Sequence, residues 1–192
     1  LIEDGPGLAC KNQGIDSIIT GQVQAIKKGT TDPITIIWGP PGTGKTTTMS
    51  KIALKYALNK KSVLIVSHSN VSVDGVIKKI AAMAKETNHE KLLLEGNILR
   101  YGYVRDEELS KNDYATSFNY VLQSDAELSA KRKALEEQRK QLRDKKDEKS
   151  LKKLTEVQKK LQELHTKVRH REAQVTSNAL IVATTMSKVI VD

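Results

Sequence analysis

The sequence predicts an α/β fold, in which a parallel sheet with helices on both faces carries an inserted antiparallel hairpin of two coiled-coil helices. Short apolar runs rich in β-branched residues alternate with stretches of helical spacing, and this alternation is typical of parallel strands joined by helices. A long stretch without glycine or proline separates the last apolar run from the others. The four predicted strands are Ile34–Trp38, Ser62–Ser67, Asn97–Tyr101 and Ala179–Thr184.

Apolar residues recur at helical spacing after each of the first two predicted strands. Lys45–Leu58 follows a glycine-rich turn and is the first predicted helix, and a second helix begins shortly after Ser67. Each helix would present one apolar face to the sheet. The residues of these faces are Ile52, Ala53, Tyr56 and Ala57 in the first helix and Val73, Val76, Ile77, Ile80 and Ala84 in the second.

The stretch Leu122–Asn178 has a different composition, dense in Lys, Glu, Gln, Arg and Leu. Its second half carries apolar residues at alternating steps of three and four, which predicts a coiled-coil seam. Three leucines at steps of seven mark a weaker seam in its first half, and Asp144–Ser150, which has no apolar residue, is a predicted turn. The seam residues are Leu154, Val157, Leu161, Leu164 and Val168, preceded by Leu128, Leu135 and Leu142.

Two helices folded back on each other would return the chain to the core that it leaves near Tyr120, because Ala179–Thr184 belongs to that core. One continuous helix that pairs with a second chain is the alternative. We therefore divide the chain into residues 1–121, a hairpin at 122–178, and a return strand within 179–192. Leu1 is not a methionine and Asp192 follows an apolar run, so we interpret the chain as a piece of a longer protein.

The composition indicates the kind of compartment to expect for the protein and whether it enters a membrane. The one cysteine excludes an internal disulfide and a cysteine-based metal cluster, which suits a reducing compartment. No stretch approaches the roughly 20 apolar residues of a membrane span. We therefore expect no membrane partner and take the cytoplasm as the default location, with the nucleus as the alternative in a eukaryote.

The chain is basic, with a net charge of +9, and 16 of its 32 Lys and Arg residues lie in Leu122–Asn178. A basic surface favours phosphate-rich partners. A solvated lysine-rich helix has the same composition, and on charge alone we prefer that simpler interpretation.

The residues Gly39–Thr46 read GPPGTGKT and match the phosphate-binding pattern G-x-x-x-x-G-K-[ST] without deviation. Glycines allow backbone N–H groups to surround a phosphate, Lys45 would contact the β- and γ-phosphates, and the Thr46 hydroxyl would ligate Mg²⁺. We predict that the chain binds ATP with Mg²⁺, that Lys45 and Thr46 are its catalytic residues, and that Thr46 is the metal ligand. The predicted nucleotide-binding residues are Gly39, Gly42, Thr43, Gly44, Lys45, Thr46 and Thr47.

Two further segments have side chains suited to a nucleotide or a nucleic acid. Gln22 stands 17 residues before Gly39, and its amide offers one acceptor and two donors, which can read adenine. Ser69 and Asn70 follow the second predicted strand, where small polar side chains can donate to a sugar–phosphate backbone. A surface glutamine and ordinary helix capping are the alternatives.

The order and spacing of these segments resemble those of the superfamily 1 helicases of the Upf-like branch. That family has a glutamine motif, then GPPGTGKT, then a segment that contains P-S-N and ends in V-D. Here the third segment reads SHSNVSVD, with His68 where the family has proline. Ile98–Gly102 is similar to a family strand with the pattern R-x-G, and Ala183–Thr185 is similar to the strand that precedes its acidic motif. The resemblance covers about residues 18–104 and 179–186.

The resemblance implies a RecA-like P-loop domain that belongs to an ATP-driven helicase. Gln22 would read adenine, and Ser69, Asn70 and Thr185 would lie along a single strand of DNA or RNA. The protein would move along that strand, in the 5′ to 3′ direction. The family also inserts a subdomain where this chain has its predicted hairpin.

Hydrolysis in the family also requires the acidic motif DEA and arginines from a second motor domain, and neither is present in this sequence. Val189–Asp192 looks like the start of an apolar strand that ends in the Mg²⁺ aspartate. However, only Met186–Lys188 separates it from the preceding strand, which is too short for a parallel crossover. The role of Asp192 therefore stays open, and we expect the chain to bind nucleotide but hardly to hydrolyse it.

The sequence alone leaves two other functions possible and does not decide the role of Arg100. A coiled-coil ATPase of the chromosome-maintenance or clamp-loading kind also joins such a loop to helical arms. The predicted hairpin could instead be a module that binds a protein partner or guides nucleic acid. Arg100 could face nucleic acid or pair within the domain.

Overall fold

The computed structural model describes residues 15–111, 114–143 and 148–191. Within this part of the chain, no helix is both long enough and apolar enough to cross a membrane. The strands are β1 (Val63–Ser67), β2 (Ile98–Arg100) and β3 (Ile181–Thr185). The helices are α1 (Ile15–Thr31), α2 (Lys45–Leu58), α3 (Asn70–Glu86), α4 (Lys91–Leu94), α5 (Glu107–Ser110), α6 (Ser117–Ser124), α7 (Ala126–Arg143), α8 (Glu148–Asn178) and α9 (Met186–Val191).

The three strands form a parallel sheet in the order β1-β3-β2. Ile181 of β3 is in register with both Val63 of β1 and Ile98 of β2, so β3 lies between strands that precede it in the chain. Because all three strands run in the same direction, they end at one edge, at Ser67, Arg100 and Thr185. We call this edge the carboxyl edge. Three of the four predicted strands are thereby confirmed.

Helices α2 and α3 pack on one face of the sheet and form its core. Val73, Ile77 and Ile80 of α3 have no exposed surface, as their helical spacing predicts. They pack against residues that alternate along the strands, among them Ile181 and Ile98. The predicted face of α3 is therefore confirmed. In α2, Ala53 and Ala57 join the same core, whereas Ile52 and Tyr56 are half-buried beside Gly29 of α1.

The opposite face of the sheet is more open at β1. Leu64 and Val66 point to that face, because side chains alternate along a strand, and they are 59% and 39% exposed. The expectation of helices on both faces therefore fails at β1. Alternation along a five-residue strand does not reveal whether anything covers its second face, since both faces of β1 are apolar.

The predicted strand Ile34–Trp38 is wrong as a sheet strand. These residues are irregular in the structure, and the side chains of Ile34, Ile36 and Trp38 are largely exposed. A strand requires a neighbour for its backbone hydrogen bonds, and among the described residues β1 pairs only with β3. The apolar run alone could not predict whether that neighbour exists.

No strand begins at Val189, as the short separation from the preceding strand indicated. The chain passes from Thr185 directly into α9, which spans Met186–Val191. Three residues cannot carry the chain back across the sheet, so a second parallel strand cannot begin there. Asp192 lies outside the described residues.

Helices α7 and α8 pack along each other, with α6 beside them. Four of the five predicted seam residues of α8, Val157, Leu161, Leu164 and Val168, are buried in one apolar cluster, whereas Leu154 is half-buried and lies outside it. In α7, Leu135 is buried but Leu128 and Leu142 are only half-buried, which agrees with the weaker pattern there. Of the predicted turn Asp144–Ser150, residues 144–147 lie outside the described residues and 148–150 are helical, because α8 begins at Glu148.

Candidate nucleotide and nucleic-acid sites

The glycine-rich loop before α2 has the backbone conformation that its glycines permit. Gly42 and Gly44 have φ angles of +84° and +81°, a region that residues with a side chain rarely adopt. A Cβ on Gly44 would lie 2.5 Å from Gln22 Nε2, so a side chain there would displace the end of Gln22. The positive φ angles are therefore what requires glycine in this loop.

The side chain of Lys45 reaches back into this loop. Its Nζ donates to the carbonyl oxygens of Gly39 at 2.6 Å and Pro40 at 2.7 Å. None of the carboxylates in the described residues forms an ion pair with it. An ammonium group held only by neutral carbonyls at the centre of a loop can exchange these partners for phosphate oxygens, which bind it more strongly. Lys45 therefore fits the predicted phosphate contact.

The N-terminus of α2 adds backbone donors to the same place. Gly44 precedes the helix and has no side chain to cap it, so the first N–H groups of α2 can bind an anion. Thr46 is exposed and Thr47 is half-buried, and both belong to this first turn. Among residues 15–111, 114–143 and 148–191, no cluster of three or more His, Cys, Asp or Glu could hold a metal. A metal ion here would thus need phosphate oxygens besides the Thr46 hydroxyl.

Gln22 of α1 lies against the loop although it stands far from it in the sequence. Its Nε2 donates to the carbonyl oxygen of Thr43 at 3.0 Å, and the Thr43 hydroxyl donates to Pro40 O at 2.9 Å. Packing of α1 on α2 holds the glutamine there. Gln22 is therefore not an isolated surface residue, and its predicted contact with adenine stays a prediction.

The three predicted nucleic-acid residues lie at the carboxyl edge. Ser67 and Thr185 are register partners in β1 and β3, and Ser69 and Asn70 follow Ser67 directly at the start of α3. The Thr185 hydroxyl lies 3.1 Å from Ser187 Oγ. The structure thus brings Ser69, Asn70 and Thr185 to one edge of adjacent strands, which is where ligands bind in many α/β sheets.

Arg100, at the end of β2, is buried and pairs within the domain, which answers the question that the sequence left open. Its Nε donates to Asp74 Oδ1 at 2.7 Å. Its Nη2 donates to Asn70 Oδ1 at 2.7 Å and to Tyr103 O at 2.6 Å, and Nη1 donates to Tyr101 O. The guanidinium therefore fixes the side chain of Asn70 and leaves the Asn70 amide nitrogen to face other partners.

Asp74, the partner of Arg100, is also fully bonded. Its Oδ2 accepts the backbone N–H groups of Arg105 at 2.8 Å and Asp106 at 3.1 Å. These bonds offset the cost of burying two charges. In the sequence, Asp74 is the last residue of the segment SHSNVSVD. A charged residue on a predicted buried strand, as Arg100 is, needs a buried partner of opposite charge, and this signal points to the pair.

The paired helices join the sheet close to this network. The Ser117 hydroxyl, at the start of α6, donates to Glu172 Oε1 of α8 at 2.7 Å and approaches Arg100 O to 3.3 Å. Both Ser117 and Glu172 are buried. A short series of contacts therefore connects Asn70, through Arg100 and Ser117, to α8, and no sequence pattern pointed to Ser117 or Glu172.

The parallel sheet, the glycine-rich loop and the lysine inside it define a nucleotide-binding domain of the P-loop class. The family model described as AAA domain matches residues 18–191, which is more than half of the chain. The chain belongs to this family.

Three relatives show which members of the class the chain resembles. It is 32% identical to RNA helicase aquarius of Mus musculus over 120 residues, 60% of this chain and 8% of that protein. It is 41% identical to the regulator of nonsense transcripts 1 homolog of Arabidopsis thaliana over 70 residues, 36% of this chain and 6% of that protein. It is 40% identical to DNA-binding protein SMUBP-2 of Rattus norvegicus over 65 residues, 32% of this chain and 7% of that protein.

These matches confirm the resemblance to superfamily 1 helicases of the Upf-like branch and identify a helicase-type ATPase domain. The matched segments cover less than a tenth of the length of each of these relatives. Roles of individual residues in the two candidate sites stay predictions.

Proposed function

We propose that the chain is the ATP-binding part of a helicase motor that moves along single-stranded DNA or RNA. The observation that carries this proposal is the position of Lys45, whose ammonium group lies inside the glycine-rich loop, 2.6 Å and 2.7 Å from two loop carbonyls. A phosphate chain would replace these carbonyls as the partner of Lys45. The family match and the three polar residues at the carboxyl edge support the motor function.

In this proposal the nucleotide is ATP with Mg²⁺. The backbone from Gly39 to Thr47 surrounds the phosphates, Lys45 binds the β- and γ-phosphates, and the Thr46 hydroxyl ligates Mg²⁺. Gln22 contacts the adenine ring, for which its amide would exchange the bond to Thr43 O. Mg²⁺ held there would neutralise part of the phosphate charge.

Ser69, Asn70 and Thr185 contact the single strand at the carboxyl edge. Arg100 holds Asn70 by its amide oxygen, so the amide nitrogen is oriented as a donor to phosphate or sugar oxygens. These atoms contact groups that DNA and RNA share, so both strands are proposed substrates.

We also propose that α7 and α8 form an antiparallel coiled-coil hairpin inserted into the ATPase domain at residues 122–178. The domain would then consist of residues 1–121 and 179–192. Two observations favour this organisation. Arg171 of α8 pairs with Asp125 beside the start of α7, and the buried seam steps by three and four residues.

The test is ATP turnover by the full-length protein, with and without a single-stranded oligonucleotide, beside a Lys45→Ala variant. We expect strong stimulation by the strand in the wild type and loss of turnover in the variant. An ATP turnover rate that does not change when the oligonucleotide is added would contradict the motor function and favour a coiled-coil ATPase with a protein partner.

A further inference from the structure

A cluster of aromatic and cationic side chains lies on one side of the paired helices. The guanidinium of Arg132 in α7 stands 4.9 Å from the centre of the Phe118 ring in α6. The ring of His165 in α8 lies 5.8 Å from the same ring, at an angle of 57°. Arg132 Nε also donates to Glu136 Oε1 at 3.0 Å. Three helices therefore contribute to one surface.

Two more arginines extend this surface. Arg139 lies seven residues after Arg132 and Arg169 four residues after His165, so each occupies the same side of its helix as the earlier residue. Both are exposed. We call the surface of these residues the arginine flank: Phe118, Arg132, Arg139, His165 and Arg169.

The charge of the arginine flank is strongly positive. Burial lowers the pKa of His165, and the charges of Arg132, Arg169 and Arg139 lower it further, while Glu136 alone among these neighbours raises it. Within the part of the chain that the structure describes, Arg139 and Arg169 form no ion pair with a carboxylate. Near His165 there are thus three guanidinium groups and one carboxylate, that of Glu136, which is bonded to Arg132. The guanidinium groups of Arg139 and Arg169 are available to an anion.

The arginine flank begins at the carboxyl edge of the sheet. Phe118 follows Ser117, whose hydroxyl lies 3.3 Å from Arg100 O, and Arg100 holds Asn70. Two contacts, Asn70 with Arg100 and Arg100 with Ser117, therefore connect the proposed nucleic-acid residue Asn70 to the residue before Phe118. Arg100 and Ser117 are buried, so they link the two surfaces through the interior of the domain.

We propose that the arginine flank is a second binding surface for the single strand, with phosphates on Arg139 and Arg169 and a base against His165. Guanidinium groups bind phosphates through two parallel hydrogen bonds, and an exposed imidazole ring can stack on a base. The combination of a ring with guanidinium groups favours nucleic acid over an acidic protein, because each nucleotide carries both a phosphate and a flat base. This inference rests on the proposed function, because the strand must first reach the carboxyl edge.

The test compares two double variants of the whole chain in their binding to labelled oligo(dT) and oligo(U), measured by fluorescence anisotropy at several salt concentrations. The first is Arg139→Gln with Arg169→Gln. The matched control is Lys133→Gln with Lys159→Gln, which removes the same charge from two exposed residues of the same helices. Each phosphate contact contributes about 0.7 to the salt slope for a single strand. We therefore expect the slope to fall by about 1.4 in the arginine variant and to change little in the control.

The outcomes separate the inference from the function on which it rests. Equal losses in the two variants would overturn the inference, because general attraction would then explain the binding. An unchanged arginine variant would also overturn it and would favour an acidic protein as the ligand of the flank. Failure of the wild type to bind either strand would instead remove the proposed function. ATP affinity and thermal unfolding, measured on both variants, should match the wild type, since the substituted residues are exposed.

Discussion

The sheet region and the paired helices α7 and α8 differ in how deeply their ion pairs are buried. In the sheet region, Arg100 and Asp74 form an ion pair with almost no exposed surface, and backbone groups complete their bonding. In the paired helices, the ion pair between Arg171 and Asp125 is partly exposed, and most other charged side chains lie at the surface, with Glu172 buried against Ser117. Buried charges hold one arrangement of loops in place, whereas surface charges remain able to bind a partner. The first region is thus built for a defined site and the second for a charged surface.

The two apolar cores differ in a related manner. The core of the sheet region lies between strands and two helices, so Ile77 is enclosed on every side. The core of the paired helices is narrower, built from α6, α7 and α8 without a sheet, and Leu161 in it keeps a small exposed surface. A narrow core of this kind can relax after a substitution more easily than an enclosed core.

The largest expected effect comes from breaking the buried ion pair. Asp74→Ala should destabilise the chain by about 3–5 kcal/mol, because Arg100 would remain charged without its carboxylate. Asp125→Ala removes the partly exposed carboxylate of the other ion pair and should have a much smaller effect. Denaturant unfolding of both variants measures the difference. Similar losses of unfolding free energy would contradict the contrast between the regions.

Truncations in the two apolar cores should separate the regions functionally. Ile77→Ala and Leu161→Ala should each cost within the ~2–5 kcal/mol typical of such changes, with Ile77→Ala at the upper end. Only Ile77→Ala should weaken ATP binding, because α3 packs against α2, which begins at the phosphate-binding loop. Titration with a fluorescent ATP analogue checks this. A loss of ATP affinity in Leu161→Ala would show that the two regions depend on each other.

The smallest effect concerns pH and Asp125. The Leu128 backbone N–H, which donates at 2.9 Å, followed by the Arg171 guanidinium, lowers the pKa of Asp125 in the folded state. The stabilisation is therefore present above the unfolded pKa, about 3.9, and is lost as the pH falls through the lower folded value. Thermal unfolding in acid should show a weaker pH dependence in Asp125→Asn than in the wild type. Identical profiles would mean that Asp125 contributes nothing to holding α7.

Prediction from the sequence succeeded where the signal is local. Helix α2 spans Lys45–Leu58 as predicted, because a glycine-rich turn marks its start and its apolar residues recur at the helical period. The α8 seam was predicted equally well from steps of three and four. The apolar run Ile34–Trp38 was wrongly predicted as a strand, since a strand depends on a neighbour that is often far away in the chain. The contact of Gln22 with the loop could not be predicted from the sequence, because it depends on the packing of α1 on α2.

The sequence by itself determined the phosphate-binding loop, the helices that follow β1 and the loop, and the paired helices, because each depends on residues close together in the chain. Only the tertiary structure decided the role of Arg100, the contact of Ser117 with Glu172, and the meeting of Phe118, Arg132 and His165. These contacts join residues between 14 and 55 positions apart. Burial then selects among the possible partners, because a buried charge without a bonded partner costs several kcal/mol.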